Sequence, residues 1–279
     1  MKENKKAKLY LIPTPIGNFD DISIRVINVL KEVDILFCED TRTTSILLSK
    51  LNIKKKLIAS HKYNESKNIN KILKYLSENL VVGIVSDRGT PVISDPGYIL
   101  TKNVIENGYE VVAIPGPTAF VPALIASGIN PHHFLFYGFL DSKRSQRKKE
   151  LENLKLERHT IIFYEAPHRL NETINDMKMI LGNNRKVSIS REISKKYERT
   201  YHGKLFDILD KIDEKRGEFV IVVAGNNSVD TSIDIPIIEH IKIYENQNIS
   251  TMDAIKQVAK DRHMKKNEVY KEYLKEKEK

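Results

Sequence analysis

The sequence predicts an α/β fold with two lobes and a helical extension. Short apolar, β-branched runs alternate with segments whose apolar residues recur at helical spacing, a pattern typical of a mostly parallel sheet covered by helices. This alternation pauses at Ile114–Thr118 and around Gly128–His132, and the chain becomes polar and turn-rich after Gly225. The predicted parts are an N-terminal lobe at 1–117, a C-terminal lobe at 118–225, and a linker with a helical extension at 226–279.

The apolar runs are the predicted strands. In the first lobe they are Leu9–Ile12, Asp34–Cys38, Leu57–Ala59, Val81–Val85 and Glu110–Ile114. In the second lobe they are Phe134–Tyr137, Thr160–Tyr164, Lys186–Ser190 and Phe219–Val223. Between strands, Ile22–Val33 and Ile69–Leu80 carry apolar residues on one helical face, so each is predicted to be a helix.

The extension contains two further helical patterns. Ser250 and Asp253 form a capping-box-like pair at the start of the first, and the second follows a short turn at His263–Lys266. Such a pair of helices is typical of a helix-turn-helix unit that contacts nucleic acid, or of a hairpin that packs on the main body. Acidic and basic residues are equal in number over 226–279, so net charge favours neither interpretation.

Composition excludes several classes of protein. The chain has 279 residues, 46 Lys and Arg against 37 Asp and Glu, a net charge of +9, and 41% hydrophobic residues, enough for a core. Its single cysteine, Cys38, rules out an internal disulfide framework and multi-cysteine metal sites, and no metal is expected. No apolar run reaches the ~18–20 residues of a membrane span. Residues 1–8 are charged and resemble a solvated arm more than a secretory signal, so we expect a cytoplasmic location.

Familiar nucleotide-binding and hydrolase motifs are absent from the sequence. It has no phosphate-binding loop of the Gly-x-x-x-x-Gly-Lys type, no Gly-x-Gly-x-x-Gly fingerprint, no Gly-x-Ser-x-Gly elbow and no His-Glu-x-x-His pair. Kinase-like, dehydrogenase, hydrolase and zinc-protease interpretations therefore lose their usual support.

Five unusual turns follow predicted strands, where open α/β sheets bind ligands. They are Pro13–Asn18, Cys38–Arg42, Ser86–Gly97, Pro115–Ala119 and Phe163–Arg169. Structural explanations exist for two of them. Asp40 or Thr41 is a candidate helix cap with Arg42 in a salt bridge, and Asp95 is a candidate cap with Pro96 at the first helical position.

Together these turns resemble the tetrapyrrole methylase superfamily and, within it, the bacterial small-subunit ribosomal RNA cytidine-2′-O-methyltransferases. Arg191-Glu192 and Gly217–Val220 add to the likeness, which covers essentially the whole chain. The resemblance implies a two-lobe methyltransferase fold with S-adenosylmethionine bound between the lobes, and a homodimer. It also implies a cytidine 2′-hydroxyl of 16S ribosomal RNA, in the decoding region of the small ribosomal subunit, as the methyl acceptor.

The resemblance also implies which residues contact the cofactor. By analogy they are Pro15, Ile16, Asp87, Thr90, Thr118, Ala119 and Tyr164. One departure concerns Arg88, because members of the family usually carry a small residue, commonly alanine, at that place. A cation there would either attract phosphate or point to solvent.

The acceptor hydroxyl would react faster with a general base within hydrogen-bond reach. Candidate bases at strand ends are Glu39, Asp40, Glu165 and His168. We prefer Asp40 with Arg42, the acid accepting the proton and the arginine holding a phosphate, and we retain Glu165 as a further catalytic candidate.

Binding RNA requires basic surface, because phosphate contacts dominate affinity. Two basic runs lie in the second lobe, at 143–149 and 185–199. The candidate RNA-binding residues are Arg147, Lys148, Lys149, Lys195 and Lys196. A solvated helix face is the ordinary explanation of such runs.

Two other functions compete with this prediction. One is methylation of a small tetrapyrrole such as a precorrin, on the same fold. The Pro13–Asn18 loop and the added helical pair count against it, since small-molecule relatives tend to have a glycine-rich loop there. The other is a non-catalytic helix-turn-helix protein that binds nucleic acid, although five polar turns at strand ends have little use in a scaffold.

Overall fold

A computed structural model describes residues 7–61, 63–226, 235–246, 249–262 and 264–277. Residues 1–6 of the expected N-terminal arm, residues 227–234 of the predicted linker and His263 of the predicted turn lie outside the described residues. The chain divides into two compact units, 1–225 and 226–279. The first unit contains two five-stranded sheets.

The first sheet is entirely parallel. Its strands are β1 (Lys8–Ile12), β2 (Ile35–Cys38), β3 (Lys56–Ala59), β4 (Val81–Val85) and β5 (Glu110–Ala113), in the order β3-β2-β4-β1-β5. Parallel neighbours require crossover connections. Helices α1 (Ile24–Glu32), α2 (Thr41–Lys50), α3 (Glu65–Ser77) and α4 (Tyr98–Glu106) supply them.

The helices cover both faces of this sheet. Buried residues of α1 and α2 form one core with β1 and β2, and buried residues of α3 and α4 form another on the opposite face. The loops that leave the adjacent strands β1 and β4 therefore run to opposite faces. Such a switch point opens a crevice at the carboxyl ends of the two strands.

The second sheet is mixed. Its strands are β6 (Phe134–Phe139), β7 (Thr160–Glu165), β8 (Lys186–Arg191), β9 (Arg199–Lys204) and β10 (Phe219–Val223), in the order β6-β7-β10-β8-β9. The β6–β7 pair is parallel and the other pairs are antiparallel. Helices α6 (Arg144–Leu154) and α7 (Leu170–Leu181) belong to this lobe, and α5 (Phe120–Ala126) precedes it.

The two lobes share a hydrophobic cluster. Ala123 and Leu124 of α5 pack on Ile162 and Val220 of the second sheet. Ile16, from the loop after β1, packs against the same cluster. This contact places the first loop of one lobe against the sheet of the other.

The predicted α/β fold class is confirmed, with three differences in detail. The second sheet is not mostly parallel, because β10 is inserted antiparallel between β7 and β8. Strand β9 was missed because it is an edge strand with polar residues around the buried Tyr201, as edges usually are. The helix at Ile237–Glu245 was also missed, since residues 240–244 alternate polar and apolar like a strand.

The second unit is a small helical cluster. It consists of α8 (Ile237–Glu245), α9 (Thr251–Asp261) and α10 (Lys266–Lys277), with Ile241, Ile255 and Val269 in its core. Ser250 caps α9 as predicted: its hydroxyl accepts from the Asp253 backbone N–H and donates to the Asp253 carboxylate at 2.7 Å. None of the helices in the described part of the chain has the length and apolar character needed to cross a membrane.

Candidate functional site

The loops after β1 and β4 are joined by reciprocal backbone hydrogen bonds. The Thr14 N–H donates to the Gly89 carbonyl at 2.8 Å, and the Gly89 N–H donates to the Thr14 carbonyl at 3.0 Å. The buried Ser86 hydroxyl donates to the same Gly89 carbonyl at 2.9 Å. Pairing of this kind gives two loops at the switch point one fixed geometry.

The loop at 115–119 joins this pair. The Thr90 hydroxyl donates to the Pro117 carbonyl at 2.9 Å. Gly89 has φ +81°, and a Cβ there would lie 3.1 Å from Ile16 Cγ2. The positive φ favours glycine at 89, and a side chain there would push on the first loop.

A cavity of about 350 Å³ opens where these loops meet the second lobe. Its wall contains Ile16, Gly89, Thr90, Asp95, Thr118, Ala119, Phe139, Tyr164 and Val220, together with Arg88, Ile93, Ser94, Glu165–Pro167, Glu218 and Phe219. Small-molecule sites are concave and mostly apolar, with a few polar groups and volumes of roughly 300–1,000 Å³. This cavity has those properties.

The structure brings five of the seven predicted cofactor residues to this wall. They are Ile16, Thr90, Thr118, Ala119 and Tyr164. Pro15 and Asp87 line a neighbouring cavity of about 210 Å³. Asp87 has a structural contact there: its carboxylate accepts a hydrogen bond from the Asp40 N–H at 3.0 Å, which ties the end of β4 to the end of β2.

Tyr164 lies between the cavity and the shared cluster. Its ring packs edge-on against Phe136, with centroids 5.1 Å apart. Burial raises the pKa of its hydroxyl to about 12, although the backbone N–H groups of Phe120 and Ala119 face that oxygen and oppose the change. The hydroxyl therefore stays neutral at physiological pH and is available to donate a hydrogen bond to a ligand.

Asp95 was assigned the wrong role from the sequence. It does not cap a helix, because α4 begins at Tyr98 with Gly97 at the cap position, and Pro96 is not the first helical residue. Its carboxyl faces the cavity instead. Burial, and then the charge of Glu39, raise the pKa of Asp95 to about 6. The Asp-Pro-Gly turn is evident in the sequence, but its pattern resembles a helix cap and so does not predict a binding site.

The preferred base, Asp40, is a helix cap. Its carboxylate accepts from the Arg42 N–H at 2.8 Å and pairs with the Arg42 guanidinium through Nη2 at 2.6 Å. These bonds lower the pKa of Asp40 to about 2. A carboxylate that holds a proton so weakly is a poor base, and Asp40 is not among the residues that line the cavity. The structure therefore supports the capping explanation, and it gives no support to Asp40 as the proton acceptor.

Glu165 has a structural role as well. It is buried, although it belongs to the cavity wall. One carboxylate oxygen accepts from the Ala166 N–H at 2.8 Å and lies 3.3 Å from Arg169 Nε, and the other accepts from the Thr173 hydroxyl. Since both oxygens are engaged, the catalytic assignment of Glu165 is not supported. His168 is exposed and lies outside the cavity wall.

Polar contacts cross between the lobes at the cavity mouth. Arg88 of the first lobe forms an ion pair with Glu218 of the second, so its side chain turns toward the other lobe. Lys195 pairs with Glu218 at 2.9 Å and with Glu192 at 2.8 Å, and its stem packs on Gly17. Lys195 is thus already paired and half-buried, unlike a free RNA-binding cation.

Arg147 is a buried structural residue, so the prediction that it lies on a basic surface is wrong. Its side chain is 0% exposed and pairs with Asp176, also 0% exposed, at 2.9 Å, and with Glu172 at 3.1 Å. The buried carboxylate of Asp176 on α7 requires a positive partner, and Arg147 on α6 supplies it. Lys149 and Lys196 are exposed, and Lys148 is half-buried with its amine 3.8 Å from Met179 Sδ.

Comparisons with known sequences identify a family. The family described as Tetrapyrrole (Corrin/Porphyrin) Methylases matches residues 8–209. A protein of Bacillus subtilis named ribosomal RNA small subunit methyltransferase I is 42% identical over 273 residues, covering 95% of this chain and 93% of its own. A protein of the same name from Escherichia coli O157:H7 is 35% identical, covering 96% of this chain and 95% of its own.

Solved structures share the fold at low sequence identity. A uroporphyrin-III-C-methyltransferase from Thermus thermophilus superposes with a TM-score of 0.57 at 18% identity, covering 78% of this chain and 94% of its own. A cobalt precorrin-4 methyltransferase superposes with a TM-score of 0.58 at 17% identity, covering 80% of this chain and 97% of its own. The two-lobe architecture and the near full-length relatives agree: this chain belongs to the tetrapyrrole methylase family and, within it, to the group named ribosomal RNA small subunit methyltransferase I.

Proposed function

We propose that the chain transfers a methyl group from S-adenosylmethionine to the 2′-hydroxyl of a cytidine in 16S ribosomal RNA, within the small ribosomal subunit. The observation that carries this proposal is the cavity at the switch point, walled by loops of both lobes, in a chain that matches ribosomal RNA methyltransferases over nearly its full length. Two experiments test the methyl donor and the ribose oxygen separately.

The cavity fits a donor with apolar and polar parts. Ile16, Ala119 and Val220 provide apolar wall, and Thr90, Thr118 and Tyr164 provide hydroxyl groups. A Cβ on Gly89 would press on Ile16, which also lines the cavity. These residues would hold S-adenosylmethionine, whose sulfonium supplies an already activated methyl group. The work left to the chain is to orient the two reactants, exclude water and receive a proton.

A methyl-transfer assay tests the acceptor. The protein would be incubated with methyl-labelled S-adenosylmethionine and either small subunits lacking the modification, naked 16S RNA or uroporphyrinogen. We expect label in small subunits or their RNA, recovered after digestion as 2′-O-methylcytidine. Label in another nucleoside would contradict the ribose assignment, and label in the tetrapyrrole alone would support the precorrin-type alternative. No transfer to any acceptor would favour a binding protein.

A pair of glycine variants tests the donor site. Gly89→Ala and Gly108→Ala share the strain of a positive φ, +81° and +79°, but a Cβ at 108 meets nothing within 4 Å. We expect both to lose about 1–2 kcal/mol of unfolding free energy. Calorimetry with S-adenosylmethionine should show weaker binding for Gly89→Ala alone. Equal affinity in the two variants would place the donor elsewhere.

A cytoplasmic location follows from the proposed substrate, since ribosomal subunits are there. A homodimer is also part of the proposal. Exposed apolar side chains on α5, Val121 and Ile125, offer surface for a second copy. Light scattering on the purified chain would report a mass near 64 kDa for a dimer, twice the chain mass of 32.1 kDa.

A further inference from the structure

Asp95 has no evident task in the fold. It caps no helix, and within the described residues no cation forms an ion pair with it. The nearby acidic residues, in contrast, all have partners. Asp40 pairs with Arg42, and Glu165 contacts Thr173 and Arg169. Glu218 pairs with Arg88 and Lys195. Asp95 is half-buried in the cavity wall, near the Ser86 hydroxyl, which donates its hydrogen bond to the Gly89 carbonyl.

The backbone leading to Asp95 is strained. Val92 has φ +76° and Ser94 has φ +62°, in the left-handed region that L-residues avoid. A β-branched residue there is an outlier, and each such residue costs on the order of 1–3 kcal/mol. Ser94 also lies against the second lobe, where a Cβ on Gly138 would come within 3.1 Å of its hydroxyl oxygen. Strain of this kind persists where surrounding contacts hold a functional geometry.

Ionisable groups from several elements lie near Asp95. Glu39 at the end of β2 and Asp87 after β4 act on it, and His61 after β3 acts on Glu39. Tyr164 of β7 faces it from the second lobe. The paired Arg88, Glu218 and Glu165 complete the ionisable groups of the cavity wall in the described residues.

We propose that Asp95 is the catalytic residue that accepts the proton of the methyl-accepting hydroxyl. This inference rests on the proposed function. The hydroxyl oxygen forms a bond to the methyl carbon, the carbon–sulfur bond breaks, and its electron pair stays on sulfur. The hydroxyl proton passes to a carboxylate oxygen of Asp95. The positive charge of the donor and the negative charge of Asp95 both disappear, and the neutral carboxyl later releases its proton to water.

The environment suits this role. Burial and the neighbouring Glu39 raise the pKa of Asp95 to about 6 from the ordinary 3.8. The group is still ionised at pH 7.5, yet it holds a proton more strongly than an ordinary aspartate. A base with a pKa near the working pH is the efficient compromise. Glu39, whose pKa is also raised by burial, does not line the cavity.

Single-turnover rates across pH test the assignment, with saturating S-adenosylmethionine and small subunits. The variants are Asp95→Asn, Glu39→Gln and, as a matched control, Glu106→Gln on the exposed end of α4. Asp95→Asn should lower the rate by about 10²-fold or more while donor affinity stays within about threefold. Glu39→Gln should keep most of the plateau rate and move the acid limb to lower pH, because one neighbouring negative charge is gone. Glu106→Gln should match the wild type.

A titration without turnover provides the second readout. With carboxyl-¹³C aspartate incorporated, one resonance should titrate near pH 6, disappear in Asp95→Asn and titrate lower in Glu39→Gln. If Asp95→Asn does not fold, the titration midpoint of this resonance can still be compared between the wild type and Glu39→Gln. An unchanged midpoint in Glu39→Gln would overturn the proposal.

The proposal would also be overturned by a wild-type rate in Asp95→Asn at saturating donor, or by loss of turnover in Glu39→Gln alone. Failure of the proposed function is distinguishable, because the wild-type protein itself would then transfer no label.

Discussion

At the scale of single residues, basic side chains serve different purposes depending on burial. Arg147 and Lys149 lie two positions apart in one basic run, yet Arg147 is fully buried and Lys149 is exposed. The buried arginine joins α6 to α7 through Asp176. Charge runs in a sequence therefore mix surface cations with structural ones.

Removing the buried arginine should destabilise the fold. Arg147→Met leaves the Asp176 carboxylate in the interior, and losing one partner of a buried pair costs about 3–5 kcal/mol. We expect the lower end, since Arg144 stays 3.1 Å from Asp176. Lys149→Met on the same helix should change the unfolding free energy by less than about 0.5 kcal/mol. Urea denaturation measures both, and equal effects would contradict the buried pair.

At the scale of elements, side-chain caps mark the start of two helices of the first lobe, α1 and α2. Ser23 caps α1 through its hydroxyl, which accepts from the Val26 N–H at 3.1 Å. Asp40 caps α2 with a carboxylate and adds the bond to Arg42. The two caps perform one task with different chemistry, because Asp40 titrates and Ser23 does not.

This difference predicts a pH signature. The pKa of Asp40 is lowered in the fold to about 2 from the ordinary 3.8. Its contribution to stability is therefore complete above about pH 4 and is lost as pH falls toward 2. The urea midpoint of Asp40→Ala should lie below that of wild type at pH 7, and the gap should narrow below pH 4.

Ser23→Ala is the control for this pH dependence. Its loss of unfolding free energy relative to the wild type, about 1 kcal/mol, should be the same at every pH. Both variants should keep turnover at neutral pH within a few-fold of wild type. A loss of turnover in Asp40→Ala with unchanged stability would restore Asp40 as a catalytic base.

At the scale of the whole molecule, positive charge is available to RNA at fewer places than the composition suggests. Arg147 and Lys195 are paired within the fold, whereas Lys149 and Lys196 are exposed on the second lobe. Lys196 also lies over the ring of Tyr197, at 5.5 Å from its centroid. We expect these exposed cations to form the RNA-facing surface.

Charge reversal tests this surface. Lys149→Glu with Lys196→Glu should weaken binding to small subunits and reduce the slope of log affinity against log salt by about 0.7 for each lost phosphate contact. Donor binding should not change. Lys67→Glu with Lys71→Glu, on exposed positions of α3, alters the net charge equally and should leave both measurements near wild type. An equal loss in the two double variants would indicate a general charge effect instead.

The sequence by itself determined the fold class and most strand positions, because these properties are local: β-branched runs form strands, and apolar spacing forms helices. Five members of the cavity wall were predicted from the resemblance to a known family, on loops that parallel strands bring to one edge of the sheet. The roles of the ionisable groups were decided by the tertiary structure. Asp40, Glu165 and Arg147 have structural partners, whereas Asp95 lies in the cavity wall after two residues with positive φ. The physical reason is that burial and the charge of neighbours distant in sequence set the basicity and availability of a side chain.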